Sequence, residues 1–110
     1  MADSFEPLTE SYFYILLCLY DGPNHGYGIM QKTLALSAGN VRLGSGTMYG
    51  AAGNMIRKGW IEEQPSEGGG FSRRRMYRLT DAGRDVLLGE VARLRHLVDV
   101  AEIVVKEERT

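Results

Sequence analysis

Arg73-Arg74-Arg75-Met76-Tyr77-Arg78-Leu79-Thr80-Asp81-Ala82-Gly83 changes its period in the middle. Up to Leu79, the residues Arg75, Tyr77 and Leu79 alternate with Arg74, Met76 and Arg78, the two-residue repeat of a strand. At Thr80-Asp81 the chemistry becomes that of a helix start. A threonine side chain can accept from free backbone N–H groups, and an acid meets the positive end of the helix dipole. A strand over 74–79 therefore feeds directly into a helix. Upstream, Trp60 to Glu63 reads as a partner strand, and Pro65 to Ser72, with Gly68-Gly69-Gly70 at its tip, reads as the loop of a long β-hairpin. Four arginines lie within six residues, at positions 73, 74, 75 and 78. They repel one another unless something anionic meets them, and a backbone phosphate is the natural counterpart. A solvated basic loop is the plainer alternative.

Beyond Thr80, Leu87, Val91, Leu94, Val98, Ala101 and Val105 recur at alternating steps of four and three, the seam of a coiled coil. A helix of about 25 residues outruns the core of so small a chain, and a second copy of the same helix is the simplest cover for the surplus. These six residues are the expected dimer contacts, and the alternative is a helix folded back on its own core. The chain thus divides into residues 1–80, a compact domain, and 81–110, a dimerisation helix.

Working back from the hairpin, Gly44-Ser45-Gly46-Thr47 opens a helix with Ser45 as the expected cap and Gly59 as its end. Met48, Ala52, Met55 and Ile56 would face inward, leaving Thr47, Gly50, Gly53, Asn54 and Arg57 outward. Small side chains allow close approach to a duplex, while Thr, Asn and Arg can hydrogen-bond bases and phosphates. Any surface helix can share that pattern. Before it, Val41-Arg42-Leu43 reads as extended. A helix starting near Asn24 or His25 is expected to bury Tyr27, Met30 and Leu34 and to end before Gly39-Asn40, with Gly26 and Gly28 present for close packing. The first helix is capped by Thr9, buries Phe13, Leu16, Leu17 and Tyr20, and stops at Gly22-Pro23. Helix, helix, helix, two-stranded hairpin, long helix is the winged helix-turn-helix plan with an added dimerisation helix, an α+β fold that is mainly α.

The bulk numbers set limits. A chain of 110 residues with 44% hydrophobic and 25% charged content makes one ordinary globular unit. No apolar run is long enough for a membrane span and the first residues lack a secretion-signal layout, so a cytoplasmic protein without a membrane partner is expected. The formal net charge is −1, but residues 41–80 carry seven basic and three acidic groups while both flanks are acidic. One surface can therefore face a polyanion. Cys18, the single cysteine, lies in the apolar run Tyr14 to Tyr20 and reads as core packing. His25 and His96 fall on different helices, and no acid, base or metal-ligand constellation surrounds either. No enzyme activity, metal or cofactor is expected.

The segments Leu8-Thr9, Ile15-Leu16-Leu17, Gly22-Pro23, His25-Gly26-Tyr27, Leu43-Gly44, Gly46-Thr47-Met48-Tyr49, Lys58-Gly59-Trp60-Ile61 and Arg73 to Gly83 together resemble the PadR family of bacterial regulators over residues 8 to 105. The resemblance implies a homodimer on double-stranded DNA, with the third helices in successive major grooves of a palindromic operator. Ser45, Thr47 and Tyr49 would fall on the DNA-facing start of that helix; Asn54 and Arg57, by their outward positions, are expected to contact DNA as well. The hairpins with Arg73, Arg74 and Arg75 would touch flanking backbone or minor groove, and these arginines are expected to hold phosphates. It further implies repression, release by a small aromatic effector in many members, and the compact subgroup with a short final helix, in which ligands can sit between subunits. Ala52-Gly53-Asn54 departs from the larger apolar and basic residues usual there, and the last helix has no aromatic residue. The same fold could instead serve a protein-binding adaptor, which would have no use for Arg73, Arg74 and Arg75.

Overall fold

A computed structural model describes residues 7–65 and 75–109, with side chains up to residue 106. Three helices come first: α1 (Glu10–Leu19), α2 (Gly26–Leu36) and α3 (Ser45–Lys58). A short strand β1 (Asn24–His25) lies between α1 and α2; β2 (Ile61–Gln64), β3 (Met76–Leu79) and α4 (Asp81–Arg109) follow α3. The three strands form an antiparallel sheet in the order β1-β3-β2, with Asn24 opposite Tyr77 on one side of β3 and Glu63 opposite Tyr77 on the other. This is the expected winged helix-turn-helix with a long final helix. The loop residues 66–72, together with Arg73 and Arg74, lie outside the described residues.

Local chemistry explains the element ends. Thr9 caps α1 by accepting from the Tyr12 N–H at 3.2 Å. His25 caps α2 through Nδ1, which accepts from the Gly28 N–H at 3.0 Å. The α3 cap is Gly44, with no side-chain bond, and Ser45 is already the first helical residue. Gly59 ends α3 at φ 78°, a left-handed conformation that glycine adopts without strain. Thr80 holds the start of α4: its hydroxyl accepts from the Gly83 N–H at 3.0 Å and shares its single proton between the carbonyls of Gly59 at 2.6 Å and Trp60 at 2.9 Å. The first turn of α4 therefore lies against the start of β2, so close that a β-carbon on Gly83 would overlap the Trp60 carbonyl.

The core joins Ile15, Leu16, Cys18 and Leu19 of α1 to Ile29 of α2, Met48, Ala51, Ala52 and Met55 of α3, Ile61, Tyr77 and Leu87. Several expected faces are rotated by about one residue. In α1, Tyr20 is exposed and Phe13 and Leu17 only half-buried, because Ile15, Cys18 and Leu19 take the interior. In α2, Ile29 and Thr33 point inward while Tyr27 is 61% exposed; Met30 and Leu34 are half-buried. In α3, Ala51 is buried and Ile56 exposed. Apolar residues run nearly all round these short helices, so their own spacing does not pick the buried side; the neighbours do. Cys18 sits in the core as expected, its thiol 3.4 Å from the Thr33 hydroxyl, and burial pushes its pKa up.

Of the seam expected for α4, Leu87 is 1% exposed and belongs to the chain's own core, and Val91 packs against that core as well. Leu87 is therefore no dimer contact: α1 and β3 already cover the first turns of α4. Leu94, Val98, Ala101 and Val105 remain exposed.

Candidate nucleic-acid interface

The sheet packs the hairpin against the starts of α2 and α3. Pairing of β1 with β3 places His25 beside Met76, and so brings Gly26, the first residue of α2, close to the wing. Tyr49 lies across Gly26: a β-carbon there would overlap its phenol ring. The ring thus fills the notch where α2 begins, yet Tyr49 stays 44% exposed. Gly28 likewise leaves space for the Asn24 side chain. Both glycines serve close packing, as their position at a helix start predicts.

Tyr77 is the hub beneath this surface. Its side chain is 1% exposed. Burial raises the pKa of its hydroxyl, a hydrogen bond from the Arg75 guanidinium opposes that, and the nearby Glu63 carboxylate and Tyr49 hydroxyl act on it too. Arg75 pairs with Glu63 across the hairpin at 3.6 Å, and Arg78 Nε donates to Glu62 at 2.6 Å. These exposed pairs contribute little stability but hold the arginines in place at the wing base. Periodicity showed the arginines; it did not show that Glu62 sits opposite Arg78 or that Glu63 comes within reach of Arg75, because that depends on strand register.

Ser45, Thr47 and Tyr49 are exposed along the first turns of α3, together with Gly46 and Gly50. α3 carries no acidic residue and ends in Arg57 and Lys58. Arg42, in the segment leading into α3, is exposed as well, a basic group that no periodicity in the sequence marks out. Asn54 differs from expectation. It is half-buried, donates to the Tyr12 hydroxyl of α1 at 2.8 Å, and accepts from Arg57. Its side chain ties the back of α3 to α1 and orients Arg57, rather than standing free on the outer face. Arg73 and Arg74 lie outside the described residues, so of the wing arginines expected to meet phosphate only Arg75 is placed.

A second exposed surface runs along α4. Leu97, Val98, Val100, Ala101, Ile103, Val104 and Val105 are all exposed, and at about 100° per residue they cover an arc of about 220°. The heptad template caught one edge of this arc through Leu94, Val98, Ala101 and Val105. It missed Leu97, Val100, Ile103 and Val104, which a helical wheel of residues 97–106 would have shown. Among the described residues no helix is long and apolar enough to cross a membrane.

A profile of the Transcriptional regulator PadR-like family matches residues 15–88, from α1 to the buried part of α4. The chain belongs to the PadR-like family of transcriptional regulators. Among solved structures it is similar to a PadR family transcription regulator from Clostridium difficile R20291, with 26% identity, a TM-score of 0.73, and coverage of 88% of this chain and 99% of that one. It shares its fold with Bacillus subtilis PadR, solved in complex with operator DNA, at 22% identity and a TM-score of 0.69 over 77% of this chain and 48% of that one. A 37.1 kDa protein in transposon TN4556 of Streptomyces fradiae is 33% identical over 89 residues, 81% of this chain. The PadR-like chain spans 24% of that relative's length.

Proposed function

We propose that this PadR-like regulator binds double-stranded DNA as a homodimer and represses transcription from a palindromic operator. The observation that carries the reading is the face of α3: Ser45, Gly46, Thr47, Tyr49 and Gly50 are exposed on a helix without acids, beside a wing base that carries Arg75. Small residues let the helix approach the floor of a major groove, and the hydroxyls can then reach base edges. Arg75, with Arg73 and Arg74 preceding it in the same hairpin, would neutralise flanking phosphates. The likeness to a PadR protein solved on its operator supports this docking.

The dimer reading rests on α4. A helix packed on one neighbour buries a stripe of roughly 100° or somewhat more. The outer half of α4 offers about twice that arc, by the same 100° per residue, so it needs cover on more than one side. A second copy of this chain supplies it, with Leu94, Val98, Ala101 and Val105 in the contact and Leu97, Val100 and Val104 beside them. Residues 1–80 then act as the DNA-binding unit and the outer part of 81–110 as the dimerising one. Release by a small aromatic effector held between the subunits belongs to the same reading and rests on family membership; α4 offers such a ligand no Phe, Tyr or Trp to stack on.

Selection of bound duplexes from a random pool at two salt concentrations tests the proposal, with native protein beside an Arg73→Ala/Arg74→Ala/Arg75→Ala variant. Native protein is expected to enrich a two-fold symmetric site. The variant should bind all sequences more weakly, with a shallower salt dependence by about one unit of slope for each phosphate that an arginine no longer neutralises. No enrichment by the native protein at low salt would refute operator binding and favour a protein-binding adaptor.

A further inference from the structure

α1 is tied to α4 by polar contacts at both of its ends. Ahead of α1, the Leu8 backbone N–H donates to Glu90 Oε2 at 3.1 Å. The same carboxylate accepts from Arg93 Nε at 2.9 Å and from Arg93 Nη2 at 2.7 Å. Glu90 is 7% exposed, and it is the one buried charged residue among the described residues. At the far end of α1, Arg84 Nη2 donates to the Tyr20 hydroxyl at 3.0 Å, and its guanidinium lies 4.7 Å from the centre of the Tyr20 ring. Between these anchors Val86 and Leu87 pack on the core, and Val91 does so just beyond Glu90.

Ridge-into-groove apolar packing favours a few crossing angles between two helices but leaves each a scatter of about 15 to 20°. One hydrogen-bonded anchor adds a pivot. Two anchors six residues apart, about 9 Å along α4 at 1.5 Å per residue, define a line and so an angle. A buried carboxylate is costly unless its partners are in place, which makes the Glu90 anchor intolerant of displacement. α1 is joined to α3 in turn by the bond between Asn54 and Tyr12. The direction of α4 is thereby passed through α1 to the helix expected to read DNA.

We propose that Glu90, with Arg84 as the second anchor, is a positioning residue that sets the angle between the winged unit and α4, and thereby the half-site spacing the dimer accepts. The inference rests on the reading of this chain as a DNA-binding dimer joined through the outer half of α4. Its sensitivity follows from geometry. Half-sites one helical turn apart are separated by about 34 to 36 Å, so each recognition helix stands about 17 Å from the two-fold axis. Because both helices move together, a displacement of each by about 1.7 Å along the line that joins them changes their separation by about 3.4 Å, one base-pair rise.

The test uses the full chain in four forms: native, Glu90→Gln, Arg84→Met and the double variant. Binding is measured to the selected palindrome, to versions with one base pair inserted or removed between half-sites, and to a single half-site. Each single variant should bind the half-site within twofold of native, while the preference for native spacing falls at least fivefold, and further in the double variant. Retained discrimination, or equal weakening on half-site and full site, overturns the proposal. A second readout needs no DNA: spin labels at Leu36→Cys in a Cys18→Ser background report the distance between subunits. Glu90→Gln should broaden that distribution. Dipolar coupling with unchanged width in the variants overturns the clamp alone, while absence of coupling in the native protein removes the dimer and the clamp together. Should Glu90→Gln fail to fold, Arg84→Met, altered at an exposed side chain, decides the matter.

Discussion

Gly83→Ala sets local propensity against tertiary packing, and the two predict opposite signs. In a helix, alanine is favoured over glycine by about 1 kcal/mol, so propensity alone makes the variant more stable. The structure places the backbone carbonyl of Trp60 where the new β-carbon would sit. A carbonyl is not the end of a flexible side chain and cannot swing aside, so α4 must move away from β2. That motion breaks the bonds anchoring the helix start: Thr80 N–H to Trp60 O at 3.0 Å, and Thr80 hydroxyl to the carbonyls of Gly59 and Trp60. At a net contribution of about 1 kcal/mol for each of the two donors, the Thr80 N–H and its hydroxyl proton, the loss is about 2 kcal/mol, and subtracting the propensity gain leaves a destabilisation of about 1 kcal/mol. Urea unfolding followed by circular dichroism at a fixed protein concentration measures it, the fixed concentration being needed because dimerisation shifts apparent stability. A Gly83→Ala variant as stable as native, or more so, would refute the placement of α4 against β2.

Three further predictions follow from burial and charge. Leu87→Ala should destabilise the fold by about 2 to 5 kcal/mol through a core cavity while leaving dimer affinity unchanged in the folded protein, whereas Val98→Asp should leave monomer folding intact and abolish the dimer; sedimentation beside thermal unfolding separates the two. The Glu90 pKa is held below the ordinary glutamate value of 4.5 by the Arg93 hydrogen bonds, against burial and with help from the Leu8 N–H. A lowered folded-state pKa contributes stability above the unfolded value and loses it as pH falls through the folded one, so the stability gap between native and Glu90→Gln should narrow between pH 7 and pH 3 in urea titrations; a constant gap would contradict the assignment. Cys18 is buried with a raised pKa, so a thiol reagent at pH 8 should label it only at the rate of unfolding, and rapid labelling of native protein would place it elsewhere.

Much of this molecule is legible in single residues. The strand-to-helix switch at Leu79-Thr80, the end of α3 at Gly59, and the Thr9 cap are set by backbone preferences and nearest-neighbour hydrogen bonds, which reach only a few residues and so are written locally. The element order then leaves few folds to consider. What lies between elements was not legible. His25 shows as a helix-start residue, but its pairing with Met76 in a third strand depends on β3 arriving there. Asn54 shows as polar on an outward helix position, but its bond to Tyr12 crosses 42 residues of chain. Glu90 has the composition of any exposed helical acid until Leu8 folds over it.

The seam of α4 shows the division most plainly. Its repeat is continuous from Leu87 to Val105 in the sequence, because a heptad pattern records only that apolar residues share a face. Which part of that face the chain covers by itself depends on where α1 and β3 end, and the tertiary structure divides it. Leu87 and Val91 go to the protomer's core, and the residues from Leu94 onward stay exposed. The sequence by itself determined the four helices, the two-stranded hairpin and their order, since these follow from short-range backbone chemistry and periodicity. Only the tertiary structure decided which apolar face closes the core, which arginines are matched by acids, and which buried carboxylate holds α4 at its angle, since each requires groups far apart in the chain to meet.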